Sequence, residues 1–171
     1  MAWPGGNGMG NGRKVATMSF TGVRSLDQSI DKTNAWLAEV AGEFGTEDRQ
    51  FAYRVTRAWL HVLRDRLPVQ VAANFAAQLP ELLRGVFYGG WNPSKVPAKF
   101  GPREYTIRFA REAAVRETEV AQAAGLVTRA VRRHVSGGVL DEALDVLPLD
   151  LSQLIDPAGA AITRPVRADR S

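Results

Sequence analysis

The sequence predicts an all-α protein, a helical bundle built from two related multi-helix halves. Three observations predict it. Between residues 25 and 156 apolar residues recur at helical spacing, with capping residues, glycines and prolines at the joints. No stretch alternates β-branched with polar residues over a useful length. Shifting the chain by 68 residues lays 52–87 on 120–155 without a gap and in the same helical phase.

The elements follow in order. Ser25 with Gln28 three positions on reads as a capping box, and Ile30, Leu37, Val40, Ala41 and Phe44 then share a helical face. Gly45 supplies a left-handed stop, Thr46 is the expected cap of the next helix, and Glu47 and Asp48 suit its positive end. That second helix repeats apolar residues at Phe51, Val55, Ala58 and Val62, and its arginines 49, 54, 57 and 64 fall largely on other faces. Pro68 opens a third helix and Pro80 a fourth. From Gly89 to Pro102 three glycines and three prolines break the pattern into a linker. Helices then resume over 103–114 and 117–135; Ser136 caps 139–147, and Pro148 opens a last turn or two.

The 68-residue shift sets apolar on apolar at Val55/Ala123, Ala58/Leu126, Trp59/Val127, Phe75/Ala143 and Leu83/Leu151, and Pro80 on Pro148. A duplication explains this better than chance amphipathicity does. The expected organisation is a flexible leader over 1–24, helical halves over 25–88 and 103–156, an aromatic and basic crossover over 89–102, and a basic disordered tail over 157–171. The Gly/Asn-rich lead has no means of burying a core, and translation is expected to start at Met18, which peptides from residues 1–17 in the native protein would disprove.

With 171 residues, 45% apolar and 23% charged, the chain is ordinary globular material and not a disordered one. It holds no cysteine, which removes disulfide frameworks, thiolate nucleophiles and cysteine zinc sites. The charge-free stretch from Leu67 to Pro80 contains Gln70, Asn74 and Gln78 and is too short to span a bilayer, and the N-terminus lacks the apolar run of a secretory signal. The expected location is the cytoplasm, with no membrane partner. A net charge of +4 suggests nucleic acid, but position changes its meaning. Residues 1–24 hold three cations and no acid, and 160–171 hold three cations and one acid. Residues 25–159 are left with 16 cations and 17 acids.

The run Leu63-Arg64-Asp65-Arg66-Leu67-Pro68, then Ala76-Ala77-Gln78-Leu79-Pro80 with Leu82-Leu83-Arg84-Gly85, and finally Tyr88, Trp91, Asn92 and Pro93, carries a resemblance. Over about residues 28–155 the chain resembles a family of small bacterial helical proteins classed as a domain of unknown function, including its duplicated Leu-Pro halves. The resemblance implies an all-helical fold. It brings no activity and no site residues.

Candidate chemistry is sparse. Neither His61 nor His134 has a carboxylate three positions before it, so the Glu-x-x-His spacing of bundle metal sites is missing, and no metal or cofactor is expected. Capping or surface roles suit both histidines, His134 lying near a helix C-terminus where a cation is favourable. Asp141 and Asp145 are one turn apart and read as a solvated face. The most informative stretch is 84–111, with six cations against Glu104. Within and beside it Arg84, Tyr88, Trp91, Lys95, Lys99, Arg103, Tyr105 and Arg108 form the candidate binding surface, cations for phosphates and rings for stacking. The same aromatics can instead plug the seam between halves, the reading favoured for a loop of this length.

The expected function is a helical interaction or regulatory module that binds an as yet unknown protein partner, with no catalytic residues. Nucleic acid or another polyanion at the crossover and tails is the second class; a small molecule between the halves is the third. Association of two copies is compatible with the same helix faces.

Overall fold

The computed structural model describes residues 20–162, with side chains through Gly159. Its α-helices are α1 (Arg24–Glu43), α2 (Arg49–Arg66), α3 (Val69–Ala76), α4 (Glu81–Tyr88), α5 (Pro102–Ala113), α6 (Val120–Arg132), α7 (Gly137–Asp145), α8 (Leu149–Ile155) and α9 (Pro157–Ile162). No strand occurs among the described residues, so the all-α reading holds. Among them no helix is long and apolar enough to cross a membrane. Expectations for residues 1–19 and 163–171, including the start at Met18, lie outside the described residues.

The helix ends show which local signals decide. Gly45 adopts φ 65°, and Gly45 and Thr46 donate to the carbonyls of Gly42 and Ala41, closing α1 as expected. The cap of α2 is Asp48, whose carboxylate accepts from the Phe51 amide at 2.9 Å; Thr46 instead accepts from the Asp48 amide at 3.1 Å. A longer turn than expected separates the helices, and it moves the cap two residues on. The capping box at Ser25 does not form, because α1 starts two residues earlier, with Val23 at the N-cap. There Thr21 donates to the Asp27 carboxylate through its amide at 3.0 Å and its hydroxyl at 2.7 Å. Pro68, Pro80 and Pro148 are the N-caps of α3, α4 and α8.

Helix α2 is the centre of the molecule, with α1, α4, α5 and α6 packed around it. Every residue from Ala58 to Arg64 is buried, so this part of α2 has no solvated face. Arg64, expected on an outer face, is 5% exposed; it donates to the carbonyls of Phe87 at 2.5 Å and Gly89 at 2.8 Å and pairs with Asp65. Its guanidinium thereby satisfies carbonyls that the end of α4 leaves open. Sixty-eight residues on, Arg132 pairs with Asp156 at the end of α8. Helices α3 and α7 begin at Val69 and Gly137, and α4 and α8 at Glu81 and Leu149, each 68 residues apart.

The first helices of the two halves cross over. Helix α1 packs as fully on α6 as on α2, and α5 packs chiefly on α2 rather than on α6. One core results, running from Trp36 through Trp59, Phe75 and Phe87 to Leu140 and Ile155. Trp59 Nε1 donates to Thr128 Oγ1 at 2.9 Å across the α2–α6 contact.

The crossover is pinned to the end of α2: the Ala98 amide donates to the Asp65 carbonyl at 2.6 Å, and Arg66 donates to the Ala98 carbonyl. The expected disordered tail is corrected at its start, since Pro157–Ile162 is helical. Asp156 accepts from the Gly159 amide at 3.1 Å and Pro157 takes the first helical position, a cap and a proline that favour a helix start.

Candidate functional site

The crossover residues separate into structural and free groups. Tyr105 is fully buried beside Phe109, and burial pushes its phenol well above the ordinary range. It cannot stack on a ligand, which removes it from the candidate surface. Arg84 donates to the carbonyls of Ala76 at 3.0 Å and Leu79 at 3.1 Å and so closes the end of α3. Tyr88 and Trp91 are half-buried with ring centroids 5.2 Å apart, packed against the core. Arg108 pairs with Glu104 at 2.8 Å and lies 4.5 Å over the Phe100 ring, whose other cation neighbour is Arg66 at 5.5 Å. Lys95, Lys99 and Arg103 remain exposed, and none of the three is in an ion pair among the described residues. The crossover thus offers cations to a polyanion, while its rings are taken up by packing.

The two histidines differ from expectation and from each other. His61 is buried; its Nδ1 faces the Glu112 carboxylate and its Nε2 the Val86 carbonyl at 2.6 Å, with Arg57 3.4 Å from the same carboxylate. Both ring nitrogens are taken up by partners within the protein. The residue ties α2 to α4 and α5. His134 stacks on Trp36, centroids 4.9 Å apart at 22°, and its Nε2 is buried without a hydrogen-bond partner.

Burial lowers the His134 pKa from its usual 6.5, and Arg133 adds to the lowering while Glu39 opposes it. A cation at this helix end is thus not what the fold favours. The sign of the pH effect follows: a base depressed in the folded state contributes fully above its unfolded pKa, and that contribution is lost as pH falls through about 6.5. Denaturant midpoints measured from about pH 7.5 to 5.5 should fall less steeply for His134→Phe, which keeps the stack, than for the wild type. Equal slopes would disprove the assignment.

Between α1, the α3–α4 turn and His134 lies a polar recess of about 540 Å³, lined by Gln28, Lys32 and Gln78 among others. Polar groups from both halves do meet here, with His134 in the lining and its Nε2 buried. Among the described residues no three His, Asp or Glu groups are placed to hold a metal ion.

A larger groove, of about 910 Å³, runs between α6, α7, α8 and the start of α9. Leu126 and Leu144 line its wall and floor, Leu149 stands on its rim 69% exposed, and Pro157 closes one end. Gly125 faces Pro157 at the start of α9, where a Cβ would sit in ordinary contact at 3.4 Å. The groove has a sign. From Val135 to Thr163 the chain holds five carboxylates and no lysine or arginine. Arg132, at the groove edge, pairs with Asp141 at 3.0 Å and with Asp156, and Arg129 pairs with Glu43 at 3.1 Å. Glu142, Asp145 and Asp150 are exposed and in no ion pair among the described residues. That run of acids was countable in the sequence, but its meeting with three leucines depends on how α6–α9 assemble.

No curated protein matches the chain. One family pattern does, over residues 33–154, from the third turn of α1 to within one residue of the end of α8. The match takes in the central helices, the crossover and three of the four groove walls, and the chain belongs to the family described as uncharacterized conserved protein, DUF2267.

Proposed function

We propose that this protein is a cytoplasmic helical interaction module that binds a protein partner through the groove between α6 and α9. The observation that carries the reading is the groove itself: an open trough with a leucine floor and an exposed Leu149 at its rim, the kind of surface an apolar segment covers. The histidine geometry supports binding over catalysis, since both His61 nitrogens are bonded within the protein and the His134 Nε2 is buried. A chain without cysteine suits the reducing cytoplasm. The repeated 68-residue spacing of helix starts supports a duplicated body as part of the same proposal.

Leu149→Glu tests it, because an exposed side chain can change without disturbing the fold. Affinity purification from native cells should recover a defined protein with the wild type and about tenfold less with the variant, matching the loss of one apolar anchor. Equal recovery with both would reject the groove.

A second reading has its own observation, the exposed and unpaired Lys95, Lys99 and Arg103. If they hold a polyanion, replacing all three by alanine will flatten the dependence of log affinity on log salt by about 2–3 units. If the groove is the working surface, the same triple variant keeps its partner.

A further inference from the structure

We infer that the occupant of the α6–α9 groove is a short basic amphipathic helix of a partner protein, with leucine-like residues on one face and lysine or arginine beside them. The inference rests on the groove reading and adds the chemistry of the partner. Length comes first: α6 has 13 residues, about 20 Å of trough, which fits a segment of roughly three turns. Its floor asks for apolar side chains at i, i+3 or i+4 spacing. Its charge asks for cations. The two arginines at the groove are already matched by Glu43, Asp141 and Asp156, so the lining acid left for a partner is Asp145, with Glu142 and Asp150 exposed next in sequence to the lining residues Asp141 and Leu149.

Charge also separates this occupant from a second copy of the chain. Two grooves meeting face to face would bring like charges together, an arrangement that costs affinity. A groove meeting the basic crossover of another copy would be head-to-tail and would build a ring or an open filament. A small molecule fits poorly, because Leu149 and Asp145 are exposed and the trough would leave much of it in water.

The test uses the full chain and three synthetic peptides of about 14 residues: an amphipathic leucine–lysine helix, the same helix with glutamate for lysine, and a scrambled leucine–lysine sequence of equal composition. The leucine–lysine helix should shift amide resonances at Leu126, Leu149 and Gln153. Its affinity should fall about tenfold when Glu142→Lys and Asp145→Lys are combined, while the glutamate helix gains by a similar factor. Leu149→Glu should weaken both helices.

Equal binding of the two amphipathic helices at these residues would overturn the charge inference and leave the groove reading standing. If neither helix moves them, both fall. Equal binding of the scrambled peptide overturns the inference as mere charge attraction. Shifts that grow with protein concentration alone would assign the groove to a second copy. Shifts on ending the chain at Ile162, without peptide, would assign it to the arginine-containing residues 163–171.

Discussion

Cut between Gly89 and Gly90, the chain will give two fragments that do not fold alone and that regain helix when mixed. Each fragment would carry one set of helices yet lack the packing that holds them. Helix α1 needs α6: Trp36 stacks on His134, Arg133 pairs with Glu39 and Glu43, and Arg129 with Glu43. Helix α5 needs α2, through His61 and Arg57 to Glu112 and from Arg54 Nε to the Ala113 carbonyl at 3.2 Å. Fragments of 89 and 82 residues are small enough to be marginal even with a core of their own, and here the largest fully buried side chain, Trp59, lies at the boundary between the two. Circular dichroism of each fragment and of the mixture reads the result. A cooperative thermal transition in either fragment alone would show that the halves are independent domains.

This crossing of first helices was not legible in the sequence, although the helices themselves were. Prolines 68, 80 and 148 and Gly45 act on their own neighbours, and the structure uses each where it was expected. Local signals failed where two competed: α2 begins at Arg49, which puts Asp48 and not Thr46 at the N-cap, where its carboxylate accepts from the Phe51 amide. The start of α9 was readable in Asp156-Pro157 but was obscured by the arginines that follow. Tyr105 was placed on a surface because cations flank it; its spacing to Phe109 and Ala113 marks the buried face of α5 instead. The pairing of His61 with Glu112 spans 51 residues, and no local rule reports such a contact. The groove belongs to the same class, since four helices must assemble before Leu126, Leu144 and Leu149 share a trough.

Trp59→Ala is expected to cost about 3–5 kcal/mol, a large share of the roughly 5–15 kcal/mol that a domain of this kind holds in reserve. The indole is fully buried, 5.9 Å from Phe75, and its Nε1 donates to Thr128 Oγ1 at 2.9 Å. Cavity formation and the lost bond therefore add. Trp59→Phe keeps much of the ring and removes the donor, for about 1 kcal/mol from the bond and some further loss of packing. Thr128→Val removes the hydroxyl that receives this bond and that lies 2.6 Å from the Ile155 carbonyl; two buried groups lose their partner, at about 1–3 kcal/mol. The double variant Trp59→Phe with Thr128→Val should cost less than the sum of the two by about 1 kcal/mol, because the second change removes a bond that the first has already broken. Denaturant titrations of the four proteins give this coupling directly. Strict additivity would mean that the indole–hydroxyl bond contributes nothing. An unchanged midpoint for Trp59→Ala would mean that the α2–α6 contact does not hold the two halves together.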